Sequence, residues 1–118
     1  MKNYLAIYIG TPAALEKSGW NELDDAARQA REAQGMQAWM GWAQQHASAI
    51  VEQGSPLGKT KRVSPEGTSD IRNVMAAYTV VAAESHEAAA KLFENHPHFT
   101  IFPGDSVEIM ECLPMPTR

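Results

Sequence analysis

Cysteine is nearly absent. Cys112 stands alone among 118 residues, so no disulfide can close within one copy and a disulfide-stapled fold is excluded. Positive charge is also sparse. Ten Lys and Arg face fourteen Asp and Glu, the net charge is −4, and the one dense basic cluster is Lys59, Lys61 and Arg62. Nucleic-acid binders carry a clustered basic surface; three cations beside a loop read as a solvated strand end, and no nucleic-acid partner is expected. Long apolar runs are missing too, since no stretch approaches the roughly 18 apolar residues of a membrane span. The apolar run at residues 4–9 is stopped by Gly10 and Pro12, too soon for the core of a secretory signal. A cytoplasmic protein with no membrane partner is the expectation. Neither a phosphate-cradling glycine motif nor a Gly-x-Ser-x-Gly elbow is present, and no cofactor is called for.

What remains is an ordinary globular composition, 44% apolar and 20% charged, in a length that suits one domain over residues 1–118. Two segments are apolar at both parities. Residues 4–9 (Tyr4, Ala6, Tyr8 against Leu5, Ile7, Ile9) and residues 74–83 lack the apolar–polar alternation of a strand wetted on one face. Both read as central strands covered on two sides. Between them, Asn21 as N-cap with Glu22, Asp24 and Asp25 in the first turn opens a helix expected to reach about Glu52, with Gly54 at its C-terminal cap. Met36, Trp39, Met40, Ala43, Ala47 and Ile50 form its apolar stripe, with Trp42 and His46 near the border. Residues 55–63 read as a polar edge strand, which tolerates Pro56, and residues 64–70 (Ser-Pro-Glu-Gly-Thr-Ser-Asp) as a loop. Ser85 caps a second helix that Pro97 ends; Pro103-Gly104-Asp105 reads as a turn, and residues 106–113 as the last strand.

The order strand, helix, strand, strand, helix, strand is the ferredoxin-like βαββαβ pattern, an α+β sandwich whose antiparallel sheet carries its helices on one face. In that topology the first and third strands are central, and these are the two strands apolar on both faces. The bare sheet face then needs a cover. A second copy packed face to face, making a homodimeric α+β barrel, is the simplest one.

On Trp39 and Trp42, residues 54–58 (Gly-Ser-Pro-Leu-Gly), Tyr78 and Val80, the run from Ala83 to Ala89, His96-Pro97-His98, Gly104 and residues 107–109, the chain resembles the YCII-related family, in particular the branch with DGPF-type domains. The resemblance spans about residues 39–113 and implies a ferredoxin-like fold and dimers of the α+β-barrel kind. The DGPF signature itself is replaced by residues 68–74, Thr-Ser-Asp-Ile-Arg-Asn-Val. No histidine precedes His46, so the early histidine of the His/Asp pair attributed to some members has no counterpart.

The candidate chemistry centres on His96 and His98. Histidine exchanges protons near neutral pH with little tuning. His98, which begins the following segment and matches the family position, is the proposed proton carrier. His96 reads as a cap on the carbonyls ending the preceding helix, or as a ligand contact. A His-x-His pair could ligate a metal with Asp105, Glu108 or Glu111; no spacing demands it, and no metal is expected. Asp70 and Glu108 are candidate catalytic helpers. Arg72, beside the loop, and Tyr8 and Tyr78, on adjacent strands, are candidate ligand contacts. The function expected is binding of a small organic molecule, with cofactor-free acid–base catalysis of lyase, isomerase or hydrolase type. The alternative is a non-catalytic ligand-binding or protein-interaction module.

Overall fold

A computed structural model describes residues 1–116. Strand β1 (Lys2–Ile9) leads through α1 (Pro12–Ser18) and a 3-10 turn (Trp20–Glu22) into the long helix α2 (Asp25–Gln45). Then follow β2 (Ile50–Glu52), β3 (Thr60–Ser64), β4 (Gly67–Ile71), β5 (Met75–Ala83), α3 (His86–Lys91), α4 (Pro97–Thr100) and β6 (Ser106–Glu111). Four strands form an antiparallel sheet in the order β2-β5-β1-β6. That is the ferredoxin-like order, with β1 and β5 inside.

The double-apolar pattern of the inner strands has a direct cause. Tyr4, Ala6 and Tyr8 on β1 and Thr79, Val81 and Ala83 on β5 are buried, in one core with Trp42, Ala89 and Phe93 from the helical layer. The opposite parity, Leu5 and Ile7 beside Tyr78 and Val80, forms the other sheet face, where β6 adds Glu108 and Met110. These residues are half-buried or exposed within one copy.

Helix α2 starts later than expected. Asp24, not Asn21, is the N-cap, its carboxylate accepting the Ala27 amide at 2.7 Å, because residues 20–22 close a 3-10 turn of their own. It also ends earlier, at Gln45, where His46 caps it. Its buried stripe is rotated by about one position. Gly35 and Trp42 are buried and Trp39 and Ala43 pack on the core, while Met36 and Met40 are more than half exposed. Gly35 lets Phe102 pack close, since a Cβ would stand 2.5 Å from its ring and displace it.

The edge strand also differs from the expectation. Ile50–Glu52, which the helical spacing assigns to the end of α2, is the strand that pairs with β5, and Ile50 packs on the core. β-branched Ile50 and Val51 favour that state. The pairing shifts register within the strand, between Ile50 and Glu52, and residues 55–57 then track β5 through single contacts, Leu57 N–H to Ala76 C=O at 2.8 Å among them. Gly54 is not a helix cap. It sits at φ 76°, close against the Tyr78 carbonyl, where no side chain fits.

Residues 60–71, expected to be strand end and loop, form a hairpin joined by the two-residue turn Pro65–Glu66. Every residue of β4 and most of β3 are exposed, Val63 at 78%. The hairpin is an arm reaching out from the body. It raises the radius of gyration to 16.3 Å, against roughly 13–14 Å for a compact globule of this length.

Candidate functional site

Gly10 ends β1, and its N–H bonds the Val74 carbonyl at 2.8 Å, tying that strand end to the segment entering β5. Around this junction lies a pocket of about 610 Å³. One wall is Gly10 to Pro12 with Leu15 of α1. The second is the foot of the arm, Arg72 to Val74, with Ala76. The third is His98 with Phe102 to Gly104.

His98 is placed there by a short chain of backbone events. Asn95 takes a left-handed φ of 59°, which asparagine tolerates. Pro97 then starts α4 at the position where its missing N–H costs nothing. His96 Nδ1 accepts the His98 N–H at 3.0 Å. The expected capping role of His96 is therefore real but reversed: it caps the start of α4, not the end of α3. Its ring is fully buried. Trp39 and Trp42 stand steeply to it, at 88° and 71°, with centroids 4.5 and 4.6 Å away, and Tyr8 lies at 5.1 Å. With Nδ1 accepting, the neutral ring carries its proton on Nε2. That atom has no conventional partner among the described residues and meets aromatic rings instead. Burial pushes the His96 pKa down to about 3, with the neighbouring His98 and His46 adding to the fall.

His98 is 7% exposed as a residue, and its Nε2 donates to the Ile9 carbonyl at 2.8 Å. Burial lowers its pKa; the carbonyls of Ile9 and Ser106 and the carboxylate of Asp105 work against that fall. Gly104 lies flat against the ring and admits no side chain. With Nε2 held by a carbonyl, Nδ1 is the nitrogen left to exchange a proton. His96 and His98 do not converge as a chelating pair. Among the described residues no group of three His, Cys, Asp or Glu side chains is positioned to hold a metal ion.

The other expected site residues lie in four different places. Arg72 lines the pocket beside His98. Tyr8 is in the core behind the histidines, its ring 5.3 Å from that of His98. The Thr79 hydroxyl donates to the Gln53 carbonyl at 3.1 Å, so Tyr8 donates its own hydroxyl to Thr79 at 3.0 Å. Burial, partly offset by Thr79, pushes the Tyr8 pKa up to about 12. Tyr78 and Glu108 occupy the opposite sheet face. Tyr78 donates to Glu52 at 2.7 Å, and that bond raises its pKa. Asp70 is on the arm, paired with Lys61 at 2.7 Å. The pocket contacts not anticipated, Thr11, Asn73 and Phe102, had no signal of their own beyond the Gly10-Thr11-Pro12 and Pro103-Gly104 breaks.

No protein-family model matches the chain, and no curated protein matches it. Among solved structures, 5-chloro-2-hydroxyhydroquinone dehydrochlorinase (TftG) from Burkholderia phenoliruptrix AC1100, in complex with 2,5-dihydroxybenzoquinone, superposes with a TM-score of 0.51. Identity is 16%, over 91% of this chain and 89% of that one. The two share a fold. That likeness concerns architecture, and the assignment of chemistry rests on the pocket itself. Among the described residues no helix is long and apolar enough to cross a membrane.

Proposed function

We propose that the pocket at the end of β1 receives a small organic molecule and that His98 is its acid–base group, in cofactor-free chemistry of lyase, isomerase or hydrolase type. The observation that carries this reading is the placement of His98: a mostly buried imidazole in the wall of an apolar-lined pocket, oriented through Nε2 by a backbone carbonyl. Orientation of one ring nitrogen by a fixed acceptor is what a general base requires. Burial favours the neutral ring, so Nδ1 accepts a proton from the ligand and returns it after rearrangement. TftG, whose fold is shared, is named for the loss of chloride from a small hydroxylated ring and holds a quinone; that supports a small-molecule role for a pocket on this architecture. The motif residues from Trp39 to Ile109 support membership of the YCII-related family. The half-apolar sheet face of Leu5, Ile7, Tyr78 and Val80 supports a homodimer in which a second copy covers it.

A second reading is favoured by one specific observation. No carboxylate joins His98 in the pocket lining: Asp70 and Glu108 lie elsewhere in the copy, and Asp105, whose charge acts on His98, stands outside the lining, hydrogen-bonded to the Ser106 hydroxyl. A non-catalytic binding module needs no such helper.

The separating experiment uses His98→Gln, whose amide can keep the donor to the Ile9 carbonyl while losing proton exchange. A ligand set that includes 2,5-dihydroxybenzoquinone is screened by thermal shift, and every stabilising compound is followed by NMR for conversion. Conversion by the wild type, reduced on the order of a hundred-fold or more in the variant, supports the enzyme. Stabilisation of both proteins without conversion supports the binding module. Absence of any ligand that shifts the melting point or the pocket resonances sinks both.

A further inference from the structure

We propose that this pocket selects an organic anion, a carboxylate, phenolate or enolate on a body about the size of one substituted ring, with Arg72 as the recognising cation. The inference rests on the small-molecule reading of the pocket and adds the ligand's chemical class. Arg72 is the one formally charged side chain in the pocket lining. Its guanidinium makes no ion pair or hydrogen bond with any described residue. The acids nearest to it in sequence and beside the pocket are already engaged: Asp70 with Lys61 at 2.7 Å, and Asp105 with the Ser106 hydroxyl at 2.8 Å. No carboxylate stands in the lining itself, although the charge of Asp105 beside it acts on His98.

The backbone under Arg72 is fixed. Asn73 Oδ1 accepts the Met75 N–H at 2.9 Å, and Nδ2 donates to the Thr60 hydroxyl at 3.3 Å, pinning the foot of the arm where it enters β5. An arginine at this position offers a planar fork of donors that matches carboxylate-like oxygens. The other walls contribute apolar Pro12, Leu15 and Phe102, and Val74 stands in the same wall as Arg72. A single cation among apolar walls suits an amphiphilic anion better than an inorganic ion, which would leave those walls wet, or a neutral ring, which would leave the guanidinium unanswered; Arg72 also borders the neighbouring groove at the base of the arm. The chain as a whole is acidic, at −4, so long-range attraction does not bring anions here. Selection must come from the local contact.

The test is an NMR titration of the wild type, Arg72→Met and Arg72→Lys with benzoate and its neutral isostere benzamide, at constant ionic strength. Arg72 is exposed and unbonded, so both variants keep the wild-type melting point. Benzoate is expected to bind the wild type on the order of ten-fold more tightly than benzamide, with shifts at His98 and Phe102. Arg72→Met should erase that preference, and Arg72→Lys should retain part of it. Equal binding of the two probes, unchanged in Arg72→Met, overturns the anion class and leaves the pocket reading standing. Shifts confined to Lys59–Lys61 and Asp70, with none at His98, overturn it as well, because the anion then sits in the groove at the base of the arm. Absence of binding by either probe at tens of millimolar overturns both readings together.

Discussion

His96 shows how one side chain sets a pH dependence. Its folded pKa is near 3, and its unfolded value is about 6.5. Below about pH 6.5 the unfolded chain binds a proton that the folded chain refuses. The stability tied to this group is thus complete above that pH and is lost as pH falls towards 3, by up to about 1.4 kcal/mol per pH unit. His98, lowered in the same direction, adds to the slope. Urea denaturation across this range should show the decline, and His96→Phe, which keeps a ring in the aromatic cage, should flatten it by about one proton while costing about 1 kcal/mol at neutral pH for the lost cap on α4. An unchanged slope in that variant would remove His96 as the cause. Gly104→Ala forces a methyl onto the His98 ring, and a loss of about 1–3 kcal/mol is expected. The histidines themselves are conspicuous in the sequence as His-Pro-His. Their partners are not, because the Ile9 carbonyl lies 89 residues away from His98 and the indoles of Trp39 and Trp42 belong to another helix.

Among the elements, the inner strands and the Ser85-capped helix are legible in the sequence because local pattern and burial agree there. The Ser85 hydroxyl accepts the Ala88 amide at 3.1 Å, as its position implies. The edge is illegible for a physical reason. Ile50 continues the helical spacing of Ala43 and Ala47, and a three-residue strand is too short to show a period of its own. The arm is hidden by polarity: Ser, Thr, Gly and Pro over residues 64–69 look the same in a loop and in a hairpin held by backbone bonds. A two-stranded hairpin with no layer beneath it is marginal in water. The amides of Arg62, Val63 and Ser69 are therefore expected to exchange with solvent far faster than those of Tyr8 and Val81. Protection of the arm comparable to that of the central strands would mean that something covers it, and a rise in protection with protein concentration would identify a second copy.

At the scale of the whole molecule the sheet has one face under helices and one without. Leu5, Ile7 and Val80 lie together on the latter, with Met110 opposite Leu5. The proposed homodimer predicts a light-scattering mass near twice the 12.9 kDa chain, and Val80→Lys, which places a charge at the centre of that face, should lower the mass towards one chain. A strictly monomeric wild type at micromolar concentration would remove the proposal. The doubly apolar strands make the need for a cover readable from residue pattern alone. Which residues are left without one is not readable that way, because it depends on the strand order and on the parity facing the helices. At the far end of the arm, Pro65–Glu66 is a tight turn whose flanking residues pair only with each other. A fluorescent reporter or an affinity tag spliced into that turn would ride clear of the core and, with only the arm's foot, Arg72 to Val74, in the pocket wall, would leave the pocket itself untouched.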